Sequence, residues 1–103
     1  MHEDFIKAIH DRNKVKLVFY SKEDDGILER ICAPMDYGPS RRFHDKSDRY
    51  HLWDYDSDQN WHTLSLLPEQ IVNIDVLDEA FDPAEFITWD ANWLIERNWG
   101  IYS

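Results

Sequence analysis

A chain of 103 residues has room for one domain, and domains of this size bury about two-thirds of the surface that their unfolded chain exposes, enough for one core without staples. The 21 acidic and 11 basic residues give a formal charge of -10, a field that repels nucleic acid at long range and disfavours grip on a long polyanion. A single cysteine excludes an internal disulfide framework, and nothing in the chain approaches a membrane span.

From Glu3 to Asp11, Phe5, Ile6 and Ile9 fall on one side of a helix, so the spacing predicts a short amphipathic N-terminal helix that stops near Asn13. Lys14 to Ser21 switches to a period of two, with Val15, Leu17 and Phe19 on one face, as in a strand. Asp24-Asp25-Gly26 supplies residues that tolerate positive φ in a tight turn. A second strand follows from about Ile27 to Cys32, ended by Pro34, which has no N–H for a ladder. Cys32 in this run reads as a small buried hydrophobe.

Met35 to Asp48 contains Gly38, Pro39 and Ser40 without a clean period and reads as a long loop, with an irregular strand end as the alternative. Tyr50 to Tyr55 is the third strand, Asp56 to Asn60 a turn, and Trp61 to Leu66 the fourth strand. Pro68-Glu69-Gln70 resembles a single 3₁₀ turn before a fifth strand built on Ile71, Val72, Ile74, Val76 and Leu77. Asp82 as an N-cap, with Pro83 first and Glu85 third, signals a helix start, and Trp89, Trp93 and Leu94 recur at helical spacing over Asp90 to Arg97.

The order of elements and their residues resemble the WYL domain, an SH3/Sm-like barrel named for a Trp-Tyr-Leu tripeptide and common in bacterial regulators. The resemblance covers about Phe5 to Phe81. It rests on Tyr20 ending the first strand, Arg30 and Pro34 of the second, Tyr50-His51-Leu52 in the place of the tripeptide, and the closing stretch LLPEQIVNIDVL from Leu66 to Leu77. The family implies binding of nucleotides or nucleic acid as a regulatory signal. Two departures stand beside it: Tyr50 and His51 replace Trp and Tyr, and the arginines usual in the last hairpin and following turn give way to Trp61, His62, Ser65, Pro68 and Glu69. No helix-turn-helix module accompanies the match.

For chemistry, the one basic cluster is Arg41, Arg42, Lys46 and Arg49, interleaved with Phe43, His44 and Tyr50. Guanidinium groups beside aromatic rings can fork to phosphate oxygens while a base stacks on a ring. The same cations could equally pair with the surplus carboxylates in weak surface bridges. Asp54, Asp56 and Asp58 have the spacing that opens a calcium loop, but Gln59 and Ser65 stand where glycine and a bidentate glutamate belong, so Asp56 and Asp58 read as turn-formers whose side chains bond nearby backbone amides. With a turn centred near Asp58, His51 lies opposite about residue 65 and His62 roughly 10 Å away on the other face, which leaves no shared metal. No nucleophile elbow appears, and three glycines provide no phosphate-cradling loop.

The C-terminal stretch carries Phe81, Phe86, Trp89, Trp93, Trp99 and Tyr102, and six acids with no Lys or Arg fall from Asp75 to Asp90. Packed back on the barrel these rings complete its core; exposed, they mark a partner surface. The sequence therefore predicts a mostly β (α+β) protein: a five-stranded small barrel over residues 1–80, with an N-terminal helix and a short helical, acidic, aromatic tail over 81–103 packed on it. The expected function is a cytoplasmic, non-catalytic ligand-sensing or regulatory module without cofactor or metal. Arg41, Arg42, Arg49, Tyr50, His51 and Trp53 are the expected contacts for an anionic, nucleotide-like ligand. The alternative is a protein-binding adaptor that uses the acidic, tryptophan-bearing tail, in the manner of a nucleic-acid mimic.

Overall fold

The computed structural model describes residues 1–40, 44–57 and 61–103. Helix α1 (His2–Asp11) buries Phe5, Ala8 and Ile9 and ends at Arg12, whose left-handed backbone (φ 57°, ψ 47°) turns its N–H back to Ala8 O. That stop comes one residue before Asn13. Five antiparallel strands follow, β1 (Asn13–Ser21), β2 (Gly26–Pro39), β3 (Asp48–Asp54), β4 (Thr63–Leu66) and β5 (Ile71–Ala80), in the sheet order β4-β3-β2-β1-β5. Among the described residues β5 pairs with β1 alone and β4 with β3 alone, so the sheet is open rather than a closed barrel. The 3₁₀ turn Pro68–Gln70 connects these two edges.

The β1–β2 turn closes on the pair Ser21 and Gly26, with Asp25 at φ 49°. Ser21 Oγ donates to Asp24 Oδ2 (2.9 Å) and accepts from Asp24 N (3.2 Å), which fixes the turn locally.

Two expectations are corrected. Pro34 does not end β2: the strand continues to Pro39 as the partner of β3, with a register shift between Pro34 and Asp36. The last β1 partner is Cys32, so Pro34 sits where β2 has already left β1 and no ladder bond on that side is lost. The first third of the expected loop, Met35 to Pro39, is thereby strand. The tail is not helical either. Residues 81–103 form only the 3₁₀ turns Pro83–Glu85 and Gly100–Tyr102 joined by irregular chain. Asp82 does cap the first of them, with Ala84 N bonded to its carboxylate (3.0 Å).

One face of the curled sheet makes the core. Val15, Leu17 and Phe19 of β1, Cys32 of β2, Tyr50 and Leu52 of β3, Leu66 of β4 and Ile74 of β5 are buried there, with α1 packed on β1, β2 and β5. Burial pushes the Cys32 thiol well above its ordinary range. The tail covers part of the opposite face. Phe86 stacks on Trp53 (centroids 5.2 Å apart), which stacks in turn on His62 (4.8 Å).

Tyr55, at the end of β3, has its hydroxyl buried with no hydrogen-bond partner among the described residues. Tyr55→Phe is therefore expected to leave stability unchanged or raise it by about 1 kcal/mol in urea unfolding, since a buried orphan hydroxyl costs its desolvation. Burial holds the phenol above its ordinary value of 10.0. A raised folded pKa contributes stability that is intact below pH 10 and lost as pH climbs towards the folded value. The alkaline loss should thus be smaller in Tyr55→Phe than in the wild type, the rest coming from the other groups shifted the same way, Tyr50 and Cys32 by burial and Tyr20 and Lys7 by their hydrogen bonds to Asp25 and Asp11.

Candidate site at the open mouth of the sheet

The expected ligand contacts do not form one surface. Arg41 and Arg42 lie outside the described residues. Arg49 is buried, 7% exposed, and donates to Asp45 Oδ2 (3.3 Å) and to Ser65 O (3.3 Å). Tyr50 is in the core, edge-on to Phe5 (4.9 Å), with its hydroxyl 2.8 Å from His2 Nδ1. His51 uses both ring nitrogens internally, Nδ1 with Ser65 Oγ (2.8 Å) and Nε2 with Gly38 O (2.9 Å). It does sit opposite Ser65, the register expected from the turn. Trp53 is half-buried and already stacked on both Phe86 and His62.

Alternation along β3 separates these residues further. Arg49, His51 and Trp53 share one face and Tyr50 points to the other. Asp56 does not bond a nearby amide as expected: its Oδ2 accepts from Ile31 N of β2 (2.8 Å), and the local turn bond is made by Asp54, whose Oδ1 accepts from Asp56 N (2.9 Å). Asp58 lies outside the described residues. Among those described, no group of three or more His, Cys, Asp or Glu is placed to hold a metal.

What the fold does assemble is a cleft of about 380 Å³ at the end of the sheet, between the β1–β2 turn and the residues Ser57 and Trp61. Phe19, Leu28 and Leu64 supply its apolar lining, Glu23 and Asp24 come from the turn, and Trp61 stands exposed at 60%. A smaller shelf of about 240 Å³ shares Phe19, Glu23, Trp61 and Leu64 with it and reaches Lys22 and Gln70.

The charged pair Arg30 and Asp54 also lines this cleft, Nε to Oδ2 at 3.4 Å, with the arginine one-third exposed and the aspartate 6%. Burial raises the Asp54 carboxyl above its usual range, opposed by the Asp56 amide and by Arg30. Arg30 is in phase with Leu28 and Cys32, and Asp54 with Tyr50 and Leu52. Both are thus charged residues at inward positions of amphipathic strands. That break in phase is the sequence signal that could have located the cleft.

A second concavity, about 290 Å³, lies between the tail and the other face of β3 and β4, lined by His51, Asp36, Trp89, Trp93 and Leu94 among others. Its main polar groups are engaged inside the fold. Asp36 accepts from Leu94 N and Ile95 N (2.9 Å each) and pairs with Arg97 (3.3 Å), and His51 is satisfied as above.

In comparisons with known proteins, the chain matches no protein-family model, no curated protein and no solved structure. Among the described residues, no helix is long and apolar enough to cross a membrane.

Proposed function

We propose that this chain is a non-catalytic, ligand-sensing module of the WYL-like small-barrel type, bacterial and cytoplasmic, with its ligand seat in the open mouth of the sheet. The observation that carries the reading is the mouth itself: an apolar floor, a partly exposed guanidinium tied to a buried carboxylate, and an exposed indole on one concave surface. Sites for small ligands combine such a floor with a few convergent polar groups. The helix, the β1–β4 meander and a fifth strand brought back beside β1 after a 3₁₀ turn support the WYL-like order of elements, in a sheet left open.

Of the nucleotide-like ligand suggested by the sequence, only the base finds support in this seat, stacked on Trp61 with Arg30 as a hydrogen-bond donor. Its phosphates draw no support from Arg49, which is buried and turned onto Asp45. Titration with nucleotides, nucleosides and small amines, followed by tryptophan fluorescence, tests the reading. Trp61→Ala should remove any response while changing stability by less than about 0.5 kcal/mol, as for an exposed side chain. A folded protein giving no Trp61-dependent response to any of these ligands would sink the proposal.

A protein-binding adaptor is the second reading, and it is favoured by the tail residues Trp89, Leu94 and Ile101, exposed at 43, 59 and 92%. Leu94→Ser with Ile101→Ser should lose partners in a pull-down if it holds. Truncating the tail is a poor test, because Trp99 and Arg97 belong to the buried interior.

A further inference from the structure

Building on the mouth as the ligand seat, we infer that the group it takes is an organic cation, a guanidinium or alkylammonium, held between the Trp61 ring and the carboxylates of Glu23 and Asp24. Charge decides the sign. Among the described residues the main cleft is lined by three carboxylates, Glu23, Asp24 and Asp54, against one guanidinium, Arg30, a balance of -2. Lys22 on the adjoining shelf reduces that to -1. Asp54 and Arg30 largely neutralise each other, so the charge offered to a ligand is that of the exposed Glu23 and Asp24.

An anion would have to enter against this lining and against a chain of net charge -10, and then compete with Asp54 for Arg30. A cation is drawn by the same field. Tryptophan is the ring that attracts cations most strongly, and this one is 60% exposed. The Asp24 carboxylate already accepts from Ser21 Oγ, but its two oxygens have capacity for further donors. The methylene stem of an arginine- or lysine-like ligand finds Phe19, Leu28 and Leu64 as its floor. The shared chemistry fits a free small amine and also a basic side chain displayed by a peptide.

The test follows the Trp61 indole N–H by NMR in the full chain, assigned with Trp61→Phe, during additions of Nα-acetyl-L-arginine amide, spermidine, a Gly-Arg-Gly peptide, Nα-acetyl-L-citrulline amide and AMP. The acetylated arginine amide or spermidine should shift the resonance, whereas the acetylated citrulline amide, which matches the arginine compound in shape and carries no charge, should not. Glu23→Gln with Asp24→Asn should weaken the binding at least about tenfold, the scale of one lost charge-assisted contact. Glu69→Gln with Asp78→Asn removes the same charge from exposed sites elsewhere and should weaken it far less. A shift with the peptide but not with the free amines assigns the cation to a partner chain. A shift with AMP or the acetylated citrulline amide and none with any cation overturns the inference yet leaves the mouth as the seat. No shift with any of them overturns both.

Discussion

Trp99→Ala is expected to destabilise the protein by about 3–5 kcal/mol, the range for truncating a buried large aromatic. Trp99 is 2% exposed and edge-on to Phe81 (5.4 Å) and Trp93 (5.5 Å), and the Arg97 guanidinium lies 4.4 Å from its centroid. Its indole Nε1 donates to Ile9 O (2.8 Å), a carbonyl of the last turn of α1 that has no partner within the helix. One side chain therefore fastens the tail to the helix and closes the helix end. Trp99→Phe retains most of the packing but not the donor, and should lose only about 1–2 kcal/mol. Urea unfolding of the pair separates packing from hydrogen bond. Equal losses in the two variants would contradict this division.

Asp36→Ala is expected to cost a similar amount, about 3–5 kcal/mol, because it leaves a buried cation without its counter-charge. The Asp36 carboxylate accepts from Leu94 N and Ile95 N and pairs with Arg97, whose side chain is fully buried. Arg97 also donates to Met35 O and to Ile95 O, and lies between the rings of Trp93 (4.2 Å) and Trp99. Burial lowers the arginine to about 10, with Asp36 acting in the opposite sense. Removing Asp36 takes away that opposing charge. The double variant Asp36→Ala with Arg97→Met should recover part of the loss, since the uncompensated charge goes with the arginine. Thermal melting of the single and double variants provides the measurement; a double variant no more stable than the single one would refute the account.

These two sites explain why the tail differs from its sequence pattern. Trp89, Trp93 and Leu94 have helical spacing, and Asp82-Pro83 is a sound helix start, yet the chain leaves the helical path after Glu85. The N–H groups of Leu94 and Ile95, which a helix would spend on carbonyls four residues back, go instead to Asp36, 58 and 59 residues earlier. No local rule contains that partner. The aromatic residues then pack according to what lies beneath them, Phe86 on Trp53 and Trp99 on α1.

The strands, in contrast, were legible because a half-buried strand writes its own period of two. β1 and β5, the turn at Asp25 and the 3₁₀ turn at Pro68–Gln70 fall where alternation, positive-φ residues and proline put them. The candidate site was less legible. Arg49, Tyr50, His51 and Trp53 stand next to one another in the chain, but alternation turns them to two faces, and each is engaged by a neighbour that the sequence does not name. Glu23, Arg30, Asp54 and Trp61 span nearly forty positions and meet only because β1, β2, β3 and β4 curl towards one end.

By itself the sequence determined the order of helix and strands, the inward stripe of Val15, Leu17 and Phe19, and the burial of Cys32, since these follow from local periodicity and side-chain size. The tertiary structure decided that the sheet stays open, that Pro34 lies within a strand, that the tail is irregular and that the mouth carries the exposed chemistry. The physical reason is the range of the forces involved. Alternation and turn preference act over a few residues, whereas an ion pair such as Asp36 with Arg97, or a shared cleft, depends on partners that only a folded chain brings within a few ångströms.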